Sequence, residues 1–247
     1  MHPWCTPPFE EERTKRNSYF CNLDVRLQEK KLENLTEVIK ENFGRSPTVF
    51  RAGRFGFKES QASLLHSLGY LVDSSVTPFM SWDNDGGPSF EDKLPTPYWI
   101  REGIVDKGFP GILEIPVSVG FNNTNFEMCH KIFKTLEHNR IAKALHLIGI
   151  LDRLSIMEKI ILTPESQSLK KLKDLSLSYN KKNSPVLNMY FHSNSLKPGD
   201  NPYVRSEEDL KSFLSKLDSY LDYLCNELGF KNTTLSGYRE ILLKENQ

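Results

Sequence analysis

The sequence has no excess of charge of either sign. Its 247 residues carry 32 Lys and Arg against 32 Asp and Glu, so the formal net charge is zero. Proteins that hold nucleic acid or anionic lipid rely on surplus basic residues. The balance therefore argues against a nucleic-acid partner.

Long apolar runs and clustered cysteines are also missing. No run approaches the roughly 18 apolar residues that a membrane-spanning helix needs, and no charged-then-apolar leader is visible. The four cysteines lie far apart without CxxC spacing, which excludes a zinc knuckle or a dense disulfide framework and predicts reduced thiols. We expect no membrane span and a cytoplasmic location by default, with the oligomeric state left open.

The composition and the hydrophobic pattern predict a packed α/β fold. A hydrophobic fraction of 38% is enough for a core, and helical spacing alternates with short β-type runs. Helices are predicted at residues 24–43, 60–68, 125–151, 165–180, 206–228 and 235–243, and strands at residues 48–51, 70–73, 111–119, 159–162 and 186–191. Such alternation is typical of parallel strands with helices outside. We predict one domain over residues 1–247, with two strands fewer than a closed barrel needs.

Three polar side chains directly follow or end predicted strands, where the working residues of an α/β barrel lie. They are Arg51, Asp73 and His192. Each has an ordinary alternative: a salt bridge for Arg51, a turn cap for Asp73 and a surface or structural role for His192. The long segment 75–97, rich in Gly, Pro, Asp and Trp, is typical of a functional loop.

Several short motifs follow one another in a recognisable order. They are Phe50–Gly56, Gly69–Pro78, Leu113–Val117 and Met189–Gly199, with His2–Pro8 at the start. Each is weak alone, but the ordered series is specific. It resembles a divergent branch of the polysaccharide deacetylase family.

The resemblance implies both a fold and an activity. The fold is a distorted (β/α) barrel related to the TIM barrel, seven-stranded in the family and here lacking the first strand or strands. The activity is metal-dependent hydrolysis of carbon–nitrogen (non-peptide amide) bonds, which deacetylates an N-acetylated sugar or polysaccharide. The family's divalent metal, usually zinc, is held by one Asp and two His, where it polarises the carbonyl and activates water.

The resemblance also implies roles for single residues. His192 matches the general acid that protonates the departing amine, and Arg51 matches the arginine that orients the base. His2 falls in the metal-binding motif. We expect His192 and Arg51 to project into one shared pocket, with Asp73 as the strand aspartate of the fourth motif.

The sequence departs from the family at several points. The first motif, a strand with paired aspartates, has no counterpart, Gly53 stands where the third motif has Pro, and the Asp-Trp of the fourth motif is replaced by Val76-Thr77. The group that tunes the acidic histidine is therefore unassigned. We favour a fragment of a longer deacetylase; the alternative is a shortened, inactive homologue that binds sugar through aromatic rings. The candidate sugar-binding aromatics are Phe79, Trp82, Tyr98 and Trp99.

Overall fold

The computed structural model describes residues 1–245, of which about half are helical and few are in strands. The helices are α1 (Val25–Phe43), α2 (Ala62–Ser67), α3 (Phe126–His138), α4 (Arg140–Ala144), α5 (Leu147–Arg153), α6 (Leu169–Lys181), α7 (Glu207–Asp222) and α8 (Leu235–Glu245). The strands are β1 (Val49–Phe50), β2 (Val72–Asp73), β3 (Tyr98–Ile100), β4 (Ile112–Glu114), β5 (Val119–Phe121) and β6 (Lys159–Ile161). Across this range no helix combines the length and the hydropathy that crossing a bilayer requires.

The chain forms two compact units. The first contains residues 1–116 and the segment from Thr233 onward, and the second contains residues 117–232. The single domain that the sequence predicts over residues 1–247 stays a prediction.

The first unit is built on a four-stranded sheet with the order β1-β2-β4-β3. Strands β1, β2 and β4 are parallel, whereas β3 runs antiparallel to β4. The register places Asp73 beside Phe50 on one side and beside Glu114 on the other. The apolar core around this sheet includes Leu32 of α1 and Ile112 of β4, both fully buried.

The second unit contains the antiparallel pair β5 and β6, with Gly120 opposite Ile160. A side chain at Gly120 would clash, since its Cβ would lie 2.7 Å from the ring of Phe126. Helix α6 is tied to the pair, because the Tyr179 hydroxyl donates a hydrogen bond of 2.9 Å to the Val119 carbonyl. Within residues 1–245 neither sheet is closed, so the barrel stays a prediction.

One long predicted helix is three helices in the structure. The pattern over residues 125–151 predicts a continuous helix, but α3, α4 and α5 occupy this stretch. The Asn139 side chain accepts hydrogen bonds from the backbone N–H groups of Ile141 and Ala142, which caps a new helix start. His146 then has a left-handed backbone with φ of +50°, so the second break follows from local geometry that periodicity does not report.

The strand predicted over residues 186–191 is wrong. The structure has no strand there and instead an extended segment with isolated backbone hydrogen bonds. The Ser118 N–H donates to the Asn188 carbonyl, and the Tyr190 N–H donates to the Leu162 carbonyl. The apolar side chains of the run are half-buried, and only Asn188 is buried, so the run packs against the second unit without forming a ladder.

A buried lysine holds the N-terminal segment of the first unit against α1. The Lys31 side chain is fully buried, and its Nζ donates to the carbonyls of Pro3, Thr6 and Pro8 at 3.0, 2.7 and 2.6 Å. Its ammonium also lies 2.9 Å from the buried Glu11 carboxylate. A buried charge is tolerated when it is paired and hydrogen-bonded, so this one side chain sets the path of the segment that carries His2.

We expect Lys31→Met to lower the free energy of unfolding by about 3–5 kcal/mol, because it leaves the Glu11 carboxylate buried and uncompensated. Urea denaturation followed by circular dichroism measures the loss. Lys30→Met is the matched control, since Lys30 is exposed and pairs with Glu10 at 3.4 Å; it should cost about 0–1 kcal/mol. Equal losses in the two variants would show that Lys31 does not organise this segment.

Candidate functional site

In the first unit, polar side chains gather where β1, β2 and β4 end. We call Arg51, Asp73, Ser75 and Glu114 the carboxyl cluster. The Asp73 carboxylate accepts hydrogen bonds from the Ser75 hydroxyl at 2.7 Å and the Ser75 N–H at 3.1 Å. The Ser75 hydroxyl in turn accepts from the Ala52 N–H at 2.9 Å, so the ends of β1 and β2 are joined. The Asp73 carboxylate therefore caps this turn, and a role in catalysis stays a prediction.

Arg51 holds the same turn from the other side. Its Nε donates to the Ser74 carbonyl at 2.8 Å, and its Nη2 donates to the Ser74 hydroxyl at 2.6 Å. The guanidinium is half-buried. The structure thus brings Arg51 and Asp73 to one turn, as expected of side chains at neighbouring parallel strand ends.

The sheet register places the carboxyl groups of Asp73 and Glu114 next to each other. Asp73 and Glu114 are direct partners of the parallel strands β2 and β4, about 4.8 Å apart in the pairing direction, and both are fully buried. Burial and the nearby Asp73 charge raise the pKa of Glu114 well above its ordinary value, and burial raises the pKa of Asp73. Two such groups cannot both ionise without a large cost, so the protonated form of Glu114, hydrogen-bonded to Asp73, is favoured.

We expect Glu114→Gln to flatten the dependence of stability on pH. The folded state keeps the Glu114 proton that the unfolded chain releases near pH 4.5, so the free energy of unfolding falls as pH rises from about 4.5 to the raised pKa. Glutamine carries no titrating proton and still donates to Asp73. Above that window the wild-type protein should lose, relative to the variant, about 1.4 kcal/mol per unit of raised pKa.

Thermal denaturation between about pH 4 and 9 measures this difference. Glu102→Gln is the control, because Glu102 is an exposed glutamate of the same unit; its curve should follow the wild type. A Glu114→Gln curve parallel to the wild type would contradict a raised pKa of Glu114.

In the second unit, His192 is held by a buried carboxylate. We call His192, Glu165, Ser195, Tyr190 and Tyr203 the imidazole site. Nδ1 of His192 lies 2.9 and 3.1 Å from the two Glu165 oxygens, and the His192 N–H donates to Glu165 Oε1 at 2.9 Å. The Ser195 hydroxyl donates to the same oxygen. The Glu165 side chain is 2% exposed, whereas that of His192 is 53% exposed.

The second imidazole nitrogen faces no protein donor or acceptor. Within residues 1–245, Nε2 of His192 makes no hydrogen bond. The ring lies nearly parallel to that of Tyr203, with centroids 6.4 Å apart, and the Tyr190 ring meets it edge-on at 6.3 Å. The site therefore presents one free ring nitrogen on a half-exposed side chain.

The turn after β6 places Glu165. The Thr163 hydroxyl accepts a bond of 3.4 Å from the Glu165 N–H. Lys216 of α7 donates to the carbonyls of Pro164 and Gln167, on either side of Glu165, at 2.6 and 3.1 Å. A buried carboxylate on an anchored turn is a rigid partner for the imidazole.

Sequence reasoning missed two carboxyl groups, Glu114 and Glu165. Glu114 stands inside the apolar run of β4, and an acidic residue at such a position is a signal that could have been used. Glu165 follows Thr163-Pro164, which predicts a turn but not the partner of its side chain. It lies 27 residues before His192, so only folding brings the two together.

The predicted site residues fall into both units. Arg51, Asp73 and the candidate metal ligand His2 belong to the first unit, and His192 belongs to the second. The expected shared pocket of His192 and Arg51 stays a prediction.

The candidate sugar-binding aromatics all make contacts inside the first unit. The Trp82 ring stacks on Phe55 at 5.5 Å, and its Nε1 donates to the Thr77 hydroxyl at 3.0 Å. The Tyr98 hydroxyl donates to Glu59 at 3.1 Å. The Arg239 guanidinium lies 5.6 Å from the Trp99 ring centroid. All three side chains are half-buried, which leaves part of each ring for a ligand.

The long segment 75–97 lines a cavity of about 610 Å³ in the first unit. This volume lies within the usual range for small-molecule sites. The lining mixes both charge signs and includes the side chains of Lys58, Glu59, Asp83, Lys93 and Glu102. Charged and polar linings of this kind suit a polyhydroxylated ligand. Phe79, the fourth predicted aromatic, is 5% exposed and offers little surface.

The residues around His2 do not by themselves fit a zinc ion. His2 is exposed, and its ring covers Gly53 so closely that a Cβ there would lie 2.3 Å from Nδ1. A protein zinc site needs three or four ligands, and residues 1–245 contain no group of three His, Cys, Asp or Glu side chains able to hold a metal. A side chain at position 53 would require the His2 ring to move; the metal stays a prediction.

Comparisons of the chain with family models, with curated proteins and with solved structures find no match. The family membership that the motifs suggest is therefore a prediction, as are the substrate and the zinc ion that it implies.

Proposed function

We propose that the chain is a hydrolase of carbon–nitrogen amide bonds that removes acetyl groups from N-acetylated sugars, with His192 as the general acid. One observation carries the proposal. A buried carboxylate holds Nδ1 of His192, while Nε2 makes no bond to residues 1–245 and half of the side chain faces solvent. This is the geometry that a proton donor to a bound ligand requires.

Amide hydrolysis needs such a donor because the nitrogen leaves readily only as a neutral amine; the deprotonated amine is a poor leaving group. Water adds to the acetyl carbonyl carbon and loses a proton, the carbon–nitrogen bond breaks, and the departing nitrogen takes a proton from Nε2 of the protonated His192 ring. The proton that the water loses replaces the one that Nε2 gives, so the ring ends the cycle as it began. The products are the sugar amine and acetate. Imidazole suits this step because it titrates near neutral pH, and Glu165 lies where it stabilises the charged ring.

Arg51 and Asp73 keep supporting roles in this proposal. Asp73 is fully buried, and both side chains bind the Ser74–Ser75 turn. The two side chains therefore fix the conformation of the turn that follows β2. The resemblance also implies a divalent metal with His2 among its ligands, but no step above passes through it.

The 610 Å³ cavity favours a second candidate function, which is sugar binding without catalysis. In that case the charged and polar side chains of the cavity bind hydroxyl groups, and the aromatic rings that line it are those of Phe57 and Phe90. The predicted aromatics Trp82, Tyr98 and Trp99 are not among the residues that line this cavity. Calorimetric titration with N-acetylglucosamine oligomers measures this binding. Saturable binding without any release of acetate would favour the second candidate over the hydrolase.

We expect His192→Ala to lower acetate release from N-acetylglucosamine oligomers by about 10²–10⁴-fold, as loss of a general acid does. Turnover is measured with and without added zinc, and circular dichroism checks the fold. His138→Ala is the control, because His138 is an exposed histidine of the same unit whose Nδ1 contacts only the Lys134 carbonyl. Unchanged turnover in His192→Ala would remove the assigned role.

A further inference from the structure

We propose that Glu165 is a positioning residue: it locks the His192 imidazole in the tautomer with hydrogen on Nδ1 and thereby makes Nε2 the nitrogen that exchanges protons with a ligand. The ligand rests on the proposed function; the tautomer rests on the contacts of residues 117–232 alone. The sequence left the partner of this histidine unassigned, and the fourth-motif candidate Asp73 is bound to Ser75 instead.

The hydrogen bonds that the Glu165 carboxylate accepts determine the tautomer of His192. An ionised carboxylate accepts hydrogen bonds and donates none. Its oxygens already receive the His192 N–H and the Ser195 hydroxyl. The ring nitrogen at 2.9 Å must then be a donor, so the neutral ring carries its hydrogen on Nδ1 and a lone pair on Nε2.

Several contacts keep the ring from turning away. Glu165 binds both the backbone and the ring of His192, so one carboxylate sets the chain direction and the side-chain rotamer together. The Ser195 N–H donates to the His192 carbonyl at 2.9 Å, which closes the short turn Ser193–Leu196 around the carboxylate. Tyr203 and Tyr190 flank the ring.

The burial of Glu165 and the exposure of His192 fit their different roles, since only His192 can contact a ligand. Glu165 is almost wholly buried and bracketed by the two carbonyls that Lys216 binds, so it cannot reach a ligand itself. His192 is half exposed. The carboxylate therefore acts through the imidazole, as outer partners of functional histidines do.

Nitrogen-15 NMR of the full chain, labelled at histidine, tests the proposal without requiring activity. At about pH 9, where imidazoles are neutral, we expect the wild-type His192 to show a protonated Nδ1 and an unprotonated Nε2. The Nε2–H tautomer in the folded wild-type protein would overturn the proposal, and this measurement needs no variant.

Variants of Glu165 then test whether this residue causes the tautomer preference of His192. Glu165→Gln and Glu165→Leu should both weaken the tautomer preference, and the leucine variant, which lacks any acceptor, should show a mixture of both forms. Glu127→Gln, an exposed glutamate of the same unit, should keep the wild-type pattern. Backbone amide shifts away from the site show whether each variant is folded. A folded Glu165→Leu variant that keeps a pure Nδ1–H tautomer would also overturn the proposal.

Kinetics separate this inference from the proposed function. If the chain releases acetate, Glu165→Gln should lower kcat about 10–100-fold with little change in KM. If the Nδ1–H tautomer is found but no acetate is released, the proposed function is wrong and the positioning role of Glu165 stands. If His192→Ala loses activity but the wild-type ring carries its hydrogen on Nε2, the proposed function stands and the positioning role is wrong.

Discussion

Buried ionisable side chains need hydrogen-bond partners, and this requirement organises the irregular parts of the molecule. The strands are two or three residues long, so ladders between strands supply few hydrogen bonds. The Lys31 ammonium donates hydrogen bonds to three carbonyls of the N-terminal segment. The Asp73 carboxylate accepts hydrogen bonds from the turn after β2, and the Glu165 carboxylate accepts them from His192 and Ser195. An unpaired buried charge is costly, so each group fixes the loop that supplies its partners.

The two polar sites use buried carboxyl groups in different ways. Asp73 and Glu114 lie side by side because of strand register, and burial together with the Asp73 charge raises the pKa of Glu114, which favours its protonated form. Glu165 is instead satisfied by donors, one of which is the half-exposed imidazole of His192. The first arrangement stabilises a turn. The second orients a group that can exchange protons, which is why the proposed chemistry is centred on His192.

Much of the secondary structure follows from local pattern. Helix α1 has the predicted spacing; the Asp24 side chain caps its start, and Gly44, with φ of +66°, ends it. Helix α7 begins with a capping box formed by Ser206 and Asp209, at the start of the predicted helix. The failures have local causes too: Asn139 divides a continuous apolar pattern into separate helices, and the half-buried 186–191 run makes only isolated backbone hydrogen bonds. Periodicity reports burial, and it does not report which hydrogen bonds the backbone finds.

The sequence by itself determined the alternation of helices with short β-type segments, the turns after them and the chemical candidates Arg51, Asp73 and His192. It did so because spacing, caps and turn residues act over a few positions along the chain. The tertiary structure alone decided that Glu114 stands beside Asp73 and that Glu165 holds His192. These pairs come from strand register and loop packing across 41 and 27 residues of sequence, distances at which no local pattern carries information.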